Sequence, residues 1–229
     1  MKKVSIVIPV YNEKDTLSVV IKNVEKLDFC GLEKEIIIID DASNDGTKEL
    51  YGSIVHKIIY HKINLGKGAA VRSGLEVATG DIIVIQDADL EYEPKDLVEA
   101  VKKILDGECI VCNVSRFINS NPSNKTLLFF TLGNKIINKL VNLFYNTNIT
   151  DILACHKAIL KSVLDNLNLK SNGFELETEI VCKLLKNNIK ILEIPASKYV
   201  ARNKKEGKKI KYIDGFKIVF TLLKCRFCE

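Results

Sequence analysis

Asp81-Ile82-Ile83-Val84-Ile85-Gln86-Asp87-Ala88-Asp89-Leu90-Glu91 is the stretch on which the reading of this chain turns. Four apolar residues, Ile82 to Ile85, run together without a polar break, as an interior parallel strand requires. Immediately beyond them Asp87, Asp89 and Glu91 alternate with other residues. Side chains two apart on an extended segment share a side and lie roughly 6.5–7 Å apart. Three carboxylates are therefore expected to converge past the carboxyl end of this strand, where open α/β sheets bind their ligands. Such a group repels itself unless a cation sits within it. All-oxygen donors suit Mg²⁺ or Mn²⁺, both of which keep places for water and substrate phosphate. Taken alone, Asp-x-Asp is equally compatible with a solvated acidic turn.

Working outward, the pattern repeats. Lys3 to Pro9 reads as a first strand, followed by a loop at Tyr11-Asn12 and a helix to about Leu27, with Leu17, Val20, Ile21 and Val24 on one face. Glu35 to Asp41 is a second strand and also ends in two acids. Ser43-Asn-Asp-Gly-Thr47 is turn chemistry. His56 to Tyr60 is a third strand, and Gly66-Lys67-Gly68 opens the helix that leads to the central one. Alternating strands and helices predict a doubly wound, mostly parallel sheet flanked by helices. Pro94 starts a further helix, and Cys109 to Val114 is a strand ending at Ser115-Arg116.

The second half is less regular. A polar loop, Asn119 to Asn124, precedes a long amphipathic stretch, Lys125 to about Phe144, whose broad apolar side reads as a buried helix pair. The alternative for it is a face turned to lipid or acceptor. Helices are expected at Lys157–Leu164 and Glu175–Lys186, a strand at Ile189–Ile194, and an amphipathic helix at Tyr212–Phe227. Lys198 to Lys211 holds seven Lys or Arg against one Glu. No internal repeat or linker divides the chain, so residues 1–229 read as one domain, with halves at 1–116 and 117–229.

Bulk properties bound the function. A chain of 229 residues supports one large core. A net charge of +5 suits an anionic substrate or membrane surface. Seven cysteines, an odd number, fit a reducing, cytoplasmic setting better than a disulfide framework. Cys109 and Cys112 are expected to face opposite ways on a strand, which argues against a shared zinc ion. No signal peptide or membrane span is read, because Val4 to Val10 is short and interrupted by Pro9. Gly66-Lys67-Gly68 is not a Walker loop, which needs Gly-Lys-Ser/Thr, and Val71 stands where a dinucleotide fingerprint needs glycine.

Seven short pieces occur in a set order: Val7-Ile-Pro-Val-Tyr-Asn-Glu13, Asp40-Asp-Ala-Ser-Asn-Asp-Gly-Thr47, Asn64-Leu-Gly-Lys-Gly-Ala-Ala70, Asp87-Ala-Asp89, Ser115-Arg116, Thr150-Asp151 and Arg202-x-x-x-Glu-Gly-Lys-Lys209. Together they resemble the inverting family 2 glycosyltransferases of the GT-A fold, and within them the polyprenyl-phosphate (dolichyl-phosphate) mannosyl- and glucosyltransferases. The resemblance implies a nucleotide-sugar-binding half followed by an acceptor-binding half. It implies that Pro9, Tyr11 and Glu13 border the nucleoside, that Asp40 accepts a hydrogen bond from the base, and that Lys67, Arg202 and Lys208 assist in holding the donor. Asp87, Asp89 and Glu91 would carry Mg²⁺ or Mn²⁺ and, through it, the diphosphate, with Asp89, Arg116 and Asp151 at the reaction centre.

Two departures accompany the resemblance. Glu91 stands where the lipid-phosphate mannosyltransferases often carry Gln. Residues 117–150 contain no Arg, which leaves Lys125 or Lys135 to assist the acceptor phosphate. The expected reaction is inverting hexose transfer from a GDP-mannose or UDP-glucose type of donor to a polyprenyl phosphate. It would take place peripherally on the cytoplasmic face of a membrane and without nucleic acid. The alternatives are a soluble enzyme with a sugar-hydroxyl acceptor and Asp151 as its base, or an inactive sugar-nucleotide-binding protein.

Overall fold

The computed structural model describes residues 1–53, 56–118, 128–203 and 207–228. In chain order its elements are β1 (Lys3–Val10), α1 (Leu17–Lys26), β2 (Glu33–Asp40), a 3-10 turn (Thr47–Ser53), β3 (Lys57–Tyr60), α2 (Lys67–Val77), β4 (Ile82–Ile85), α3 (Asp96–Leu105), β5 (Val111–Ser115), α4 (Leu128–Tyr145), β6 (Lys157–Leu160), α5 (Lys161–Asp165), α6 (Leu176–Lys186), β7 (Leu192–Pro195) and α7 (Tyr212–Phe227). The strands form one seven-stranded sheet in the order β3-β2-β1-β4-β6-β5-β7. β1 pairs in parallel with β2 and β4, β2 with β3, and β5 with β7. β6 alone runs against its neighbours, between β4 and β5.

Apolar runs become central strands because both faces are covered. Ile82 and Val84 of β4 join one core with α1 and α3, while Ile83 and Ile85 join another with α2 and α6. β2 divides in the same way, with Ile36 and Ile38 on one face and Ile37 and Ile39 on the other. A third core packs α4, α6 and α7 together through Val141, Val181 and Leu222. The chain leaves β1 in one direction across the sheet and reaches β4 on the other side. The carboxyl ends of β1 and β4 thus form the crevice in which doubly wound sheets hold ligands.

Three expectations change. Lys157–Leu160 is a strand and not the start of a helix; Ala158 opposes Val84 and Cys112, and Lys157 is neutralised inside the protein by Glu177. The stretch after residue 128 is one helix, α4, and not a buried pair. Ile137 and Val141 are buried, whereas Leu132, Ile136 and Leu143 are exposed. β5 begins only at Val111, so Cys109 lies ahead of it and its thiol meets that of Cys112. Burial pushes both thiols up, and all seven cysteines are free. The expected polar loop at 119–124 and Lys125, Lys204 and Lys205 lie outside the described residues.

Candidate active site

A cleft of about 1410 Å³ opens over the ends of β1 and β4. Pro9, the last residue but one of β1, and Tyr11 line its floor, and the loop after β4 brings in Asp87, Asp89 and Glu91. The Thr16 hydroxyl lies 2.8 Å from the Ala88 carbonyl and 2.9 Å from Glu13 Oε2, sharing its one proton between them, which ties the start of α1 to the acidic loop.

The acids do not stand together as a free triad. Among the described residues no cluster of three or more such ligands is assembled. Each acid has found a cation or donor of its own. Lys67 Nζ lies 2.6 Å from Asp87 Oδ1. Arg202 reaches Asp89 Oδ2 through Nη2 at 2.6 Å, and its guanidinium also grips both oxygens of Glu13 at 2.9 and 3.0 Å. Glu91 accepts from the Arg202 amide at 2.7 Å and the Tyr199 hydroxyl at 3.1 Å, and lies 3.9 Å from Arg202 Nε. Lys209 also pairs with Glu13 and lies 5.9 Å from the Tyr11 ring centre. Tyr199, Arg202 and Lys209, all after β7, thus lie across the acids, held by hydrogen bonds and charge.

Electrostatics differ sharply between Asp87 and Asp89. Burial pushes Asp87 up, but the Lys67 ammonium outweighs it and holds the carboxyl at about 2. For Asp89, burial and the charges of Asp87 and Glu91 outweigh Arg202 and push the carboxyl up to about 7. A carboxylate held against two like charges is the environment that a divalent cation relieves. Lys208 is pushed down by burial, with Arg116 and Arg202 adding repulsion.

At the other end of the cleft, Asp151 is fully buried and holds Arg116 bidentately, with Nε to Oδ2 and Nη2 to Oδ1 both 2.7 Å. The Arg116 amide adds a third bond at 3.0 Å. Glu193 fixes the pair from behind by accepting from the Thr150 amide and hydroxyl and the Asp151 amide at 2.7, 2.9 and 3.0 Å. Arg116 lines the cleft and Asp151 does not. Asp151, expected at the reaction centre, is thus placed behind Arg116, whose guanidinium it orients. Lys135 is exposed on α4 and is likewise not at the cleft.

Asp40, expected beside the base, does not line the cleft. It is fully buried, away from the cleft wall, and takes the Tyr51 hydroxyl at 2.7 Å and the Ser43 amide at 2.9 Å. Its neighbour Asp41 lines the cleft instead. Asp41 accepts from the Leu65 and Gly66 amides, both at 2.8 Å, and meets His61 Nδ1 at 2.7 Å. This holds the loop that launches α2. Gly66 has a φ of 100°, and a Cβ there would run into the Asn172 carbonyl. That carbonyl accepts from the Ala69 amide at 3.0 Å, so one of the amides at the α2 terminus is satisfied by protein. Of the other buried groups, Glu177, Lys157 and His156 had no sequence signal. His156 stacks on Tyr92 at 4.3 Å between ring centres, and burial pushes its imidazole down to about 3.

The profile of glycosyl transferase family 2 matches residues 5–167. Glycosyltransferase AglJ of Haloferax volcanii is 29% identical over 86% of this chain and 63% of its own length. The dolichol-phosphate mannosyltransferase of Pyrococcus furiosus is 29% identical over 84% of this chain and 55% of its own. The chain thus spans less than two thirds of either relative. The crystal structure of glucosyl-3-phosphoglycerate synthase from Mycobacterium tuberculosis with Mn²⁺, uridine diphosphate and glucosyl-3-phosphoglycerate superposes with a TM-score of 0.78 at 19% identity, over 98% of this chain and 80% of that one. That likeness extends to the fold, which is of the GT-A type. A switch-point cleft edged by Asp87-Ala-Asp89, on this sheet and under this profile, makes the chain a glycosyltransferase that belongs to glycosyl transferase family 2.

Proposed function

We propose that this protein transfers a hexose, with inversion, from a nucleotide-sugar to a polyprenyl phosphate at a membrane surface, with a divalent cation at Asp87 and Asp89. The observation that carries the acceptor class is the state of Asp151. Both its oxygens are engaged by Arg116, so it is not poised to take a proton. A hydroxyl nucleophile needs such a base. A phosphate monoester is largely dianionic at neutral pH and needs cations that bring it to the donor. Arg116, oriented by Asp151, is suited to grip it bidentately. The mannosyltransferase relative, named for a lipid phosphate, supports the same class.

The residues fit a hard divalent cation. Asp87 and Asp89 offer oxygen donors, and the raised Asp89 carboxyl marks a site short of positive charge. Glu91, committed to Tyr199 and the Arg202 amide, is not at hand for it without rearrangement. When bound, the ion supplies Lewis-acid stabilisation of the leaving diphosphate. The protein's own part is positional. Pro9 and Tyr11 present a surface for the nucleoside, and Asp41 fixes the adjacent loop. Arg202, Lys208 and Lys209 bring positive charge to the phosphates. The exposed apolar residues of α7 extend from the cleft rim, where Ile213 and Lys217 line it.

No helix among the described residues is long and apolar enough to cross a membrane. The test is transfer from UDP- and GDP-hexoses, with Mg²⁺ or Mn²⁺, to short polyprenyl phosphates and to sugar alcohols in parallel. Product on the phosphate and none on the hydroxyl acceptors is expected; the reverse pattern overturns the acceptor assignment.

A further inference from the structure

From Asp87 inward runs a row of four charges from four segments of the chain, half-buried at Asp87 and Lys67 and buried at Glu177 and Lys157. Lys67, the first residue of α2, sits between Asp87 Oδ1 at 2.6 Å and Glu177 Oε1 at 3.7 Å. Glu177, in the first turn of α6, is 2% exposed, and its other oxygen pairs with Lys157 of β6, which is fully buried. Lys157 also donates to the Ala154 carbonyl at 2.5 Å. Glu177 Oε1, by contrast, is buried and has no hydrogen-bond partner among the described residues. A buried carboxylate oxygen without a donor is costly. This one points across the cleft wall at an ammonium now committed to Asp87.

We propose that Glu177 is a positioning residue that receives the Lys67 ammonium when a divalent cation takes Asp87. The inference rests on the reading that Asp87 holds that cation. Lys67 has two carboxylates in reach of its ammonium, at 2.6 and 3.7 Å, and bonds one at a time. With the ammonium on Asp87, the metal ligand is neutralised and protected. With it on Glu177, Asp87 is free, the orphaned oxygen is satisfied, and Lys67 stays charged beside the phosphates. Lys157 stays paired with Glu177 throughout, and its bond to the Ala154 carbonyl holds it in place. No proton moves and no net charge is buried or released within the row, so the exchange needs only a small shift of one flexible side chain.

The test is binding of Mn²⁺ alone, without nucleotide, followed by electron paramagnetic resonance in wild type, Glu177→Gln, Lys67→Met and the double variant. Glu177→Gln leaves the ammonium no second partner, so Mn²⁺ should bind at least about tenfold more weakly, the scale usual for residues that orient metal ligands. Lys67→Met removes the competitor and should bind more tightly than wild type. In the Lys67→Met background, Glu177→Gln should then have no effect. An equal weakening in both backgrounds assigns Glu177 a merely structural role and overturns the proposal, as does a wild-type affinity in Glu177→Gln. If Glu177→Gln does not fold, Lys67→Met decides alone, and unchanged or weaker binding overturns the exchange. Asp87→Asn separates the two levels: if it leaves Mn²⁺ affinity untouched, the metal reading itself fails.

Discussion

Single carboxylates in this protein differ in role because their partners differ, and each difference can be measured. Asp151 gives both oxygens to Arg116. Asp151→Asn keeps the size but turns a donor toward the guanidinium and loses a charge-assisted bond, worth about 1.5–3 kcal/mol. We expect kcat/KM for a lipid phosphate to fall about 10–100-fold, mainly through acceptor KM. The rate should still rise with the acceptor's own ionisation near pH ~6 in variant and wild type alike. A fall of about three orders of magnitude in kcat, with acceptor affinity unchanged and an enzyme limb lost from the pH profile, would instead mark a general base. Asp89 supplies a stability test. Its folded pKa of about 7 lies above the ordinary carboxylate value of about 3.9. The folded state therefore holds the proton more tightly, and that stabilisation, complete below about pH 4, is lost as pH rises through about 7. Without metal, Asp89→Asn should melt above wild type by about 8–16 °C at pH ~8, with the gap closing toward pH ~4. A variant that melts lower at the alkaline end would mean that the Arg202 ion pair outweighs burial and repulsion.

At the scale of elements, the sheet is fastened at the opposite end from the cleft. Glu35 of β2 accepts from the Ser5 hydroxyl of β1 at 2.5 Å and from the Thr79 amide and hydroxyl after α2 at 2.7 and 2.9 Å. Lys3 adds an ion pair at 3.2 Å. Burial pushes this carboxyl up, but the hydrogen bonds prevail and hold it at about 2. Because the folded pKa is depressed, the stabilisation is present above about pH 4.3 and disappears as pH falls through about 2. Glu35→Gln should cost about 1–2 kcal/mol in urea unfolding at neutral pH, allowing for solvent screening, and nothing near pH ~2. A cost independent of pH would assign the effect to packing. These elements differ in how far their sequence discloses them. β1, β2 and β4 were legible because two-sided burial leaves a run of β-branched residues with acids at the end. β6 was not, since Lys157 looks like a surface residue until Glu177 of α6, brought in by the fold, neutralises it. The Asp40-Asp41 pair signalled a functional strand end, but the partners decide between them. Tyr51 takes one inward, and the α2 loop takes the other to the cleft. Nothing local announces that Arg202 will meet Glu13, since only chain folding brings the end of the protein back over its beginning.

Over the whole molecule, polar and apolar surfaces meet where the proposed reaction needs them. α7 starts at the cleft rim with Ile213 and Lys217 and buries Ile218, Leu222 and Cys225 against the third core. Its other stripe, Ile213, Phe216, Phe220 and Phe227, stays exposed, with Phe216 at 74% and Phe220 at 68%. Spacings of three, four and seven put these residues on one helical face. Leu132, Ile136 and Leu143 of α4 are exposed too, and α4 touches α7 through the Phe144–Phe227 ring pair. An apolar stripe edged by Lys217, Lys224 and Arg226 has the character of a helix that lies in an anionic interface. Removing two phenylalanines from such a stripe forfeits about 1.5–3 kcal/mol each. The double variant Phe216→Ser, Phe220→Ser should therefore bind anionic vesicles at least about tenfold more weakly than wild type, by sedimentation at low salt. It should lose transfer to a long polyprenyl phosphate carried in those vesicles, yet keep near-normal transfer to a short, water-soluble prenyl phosphate, because Arg116 and the carboxylates are untouched. Equal losses on both acceptors would mean that α7 supports the cleft and not the membrane. Unchanged vesicle binding would place the contact elsewhere on the protein.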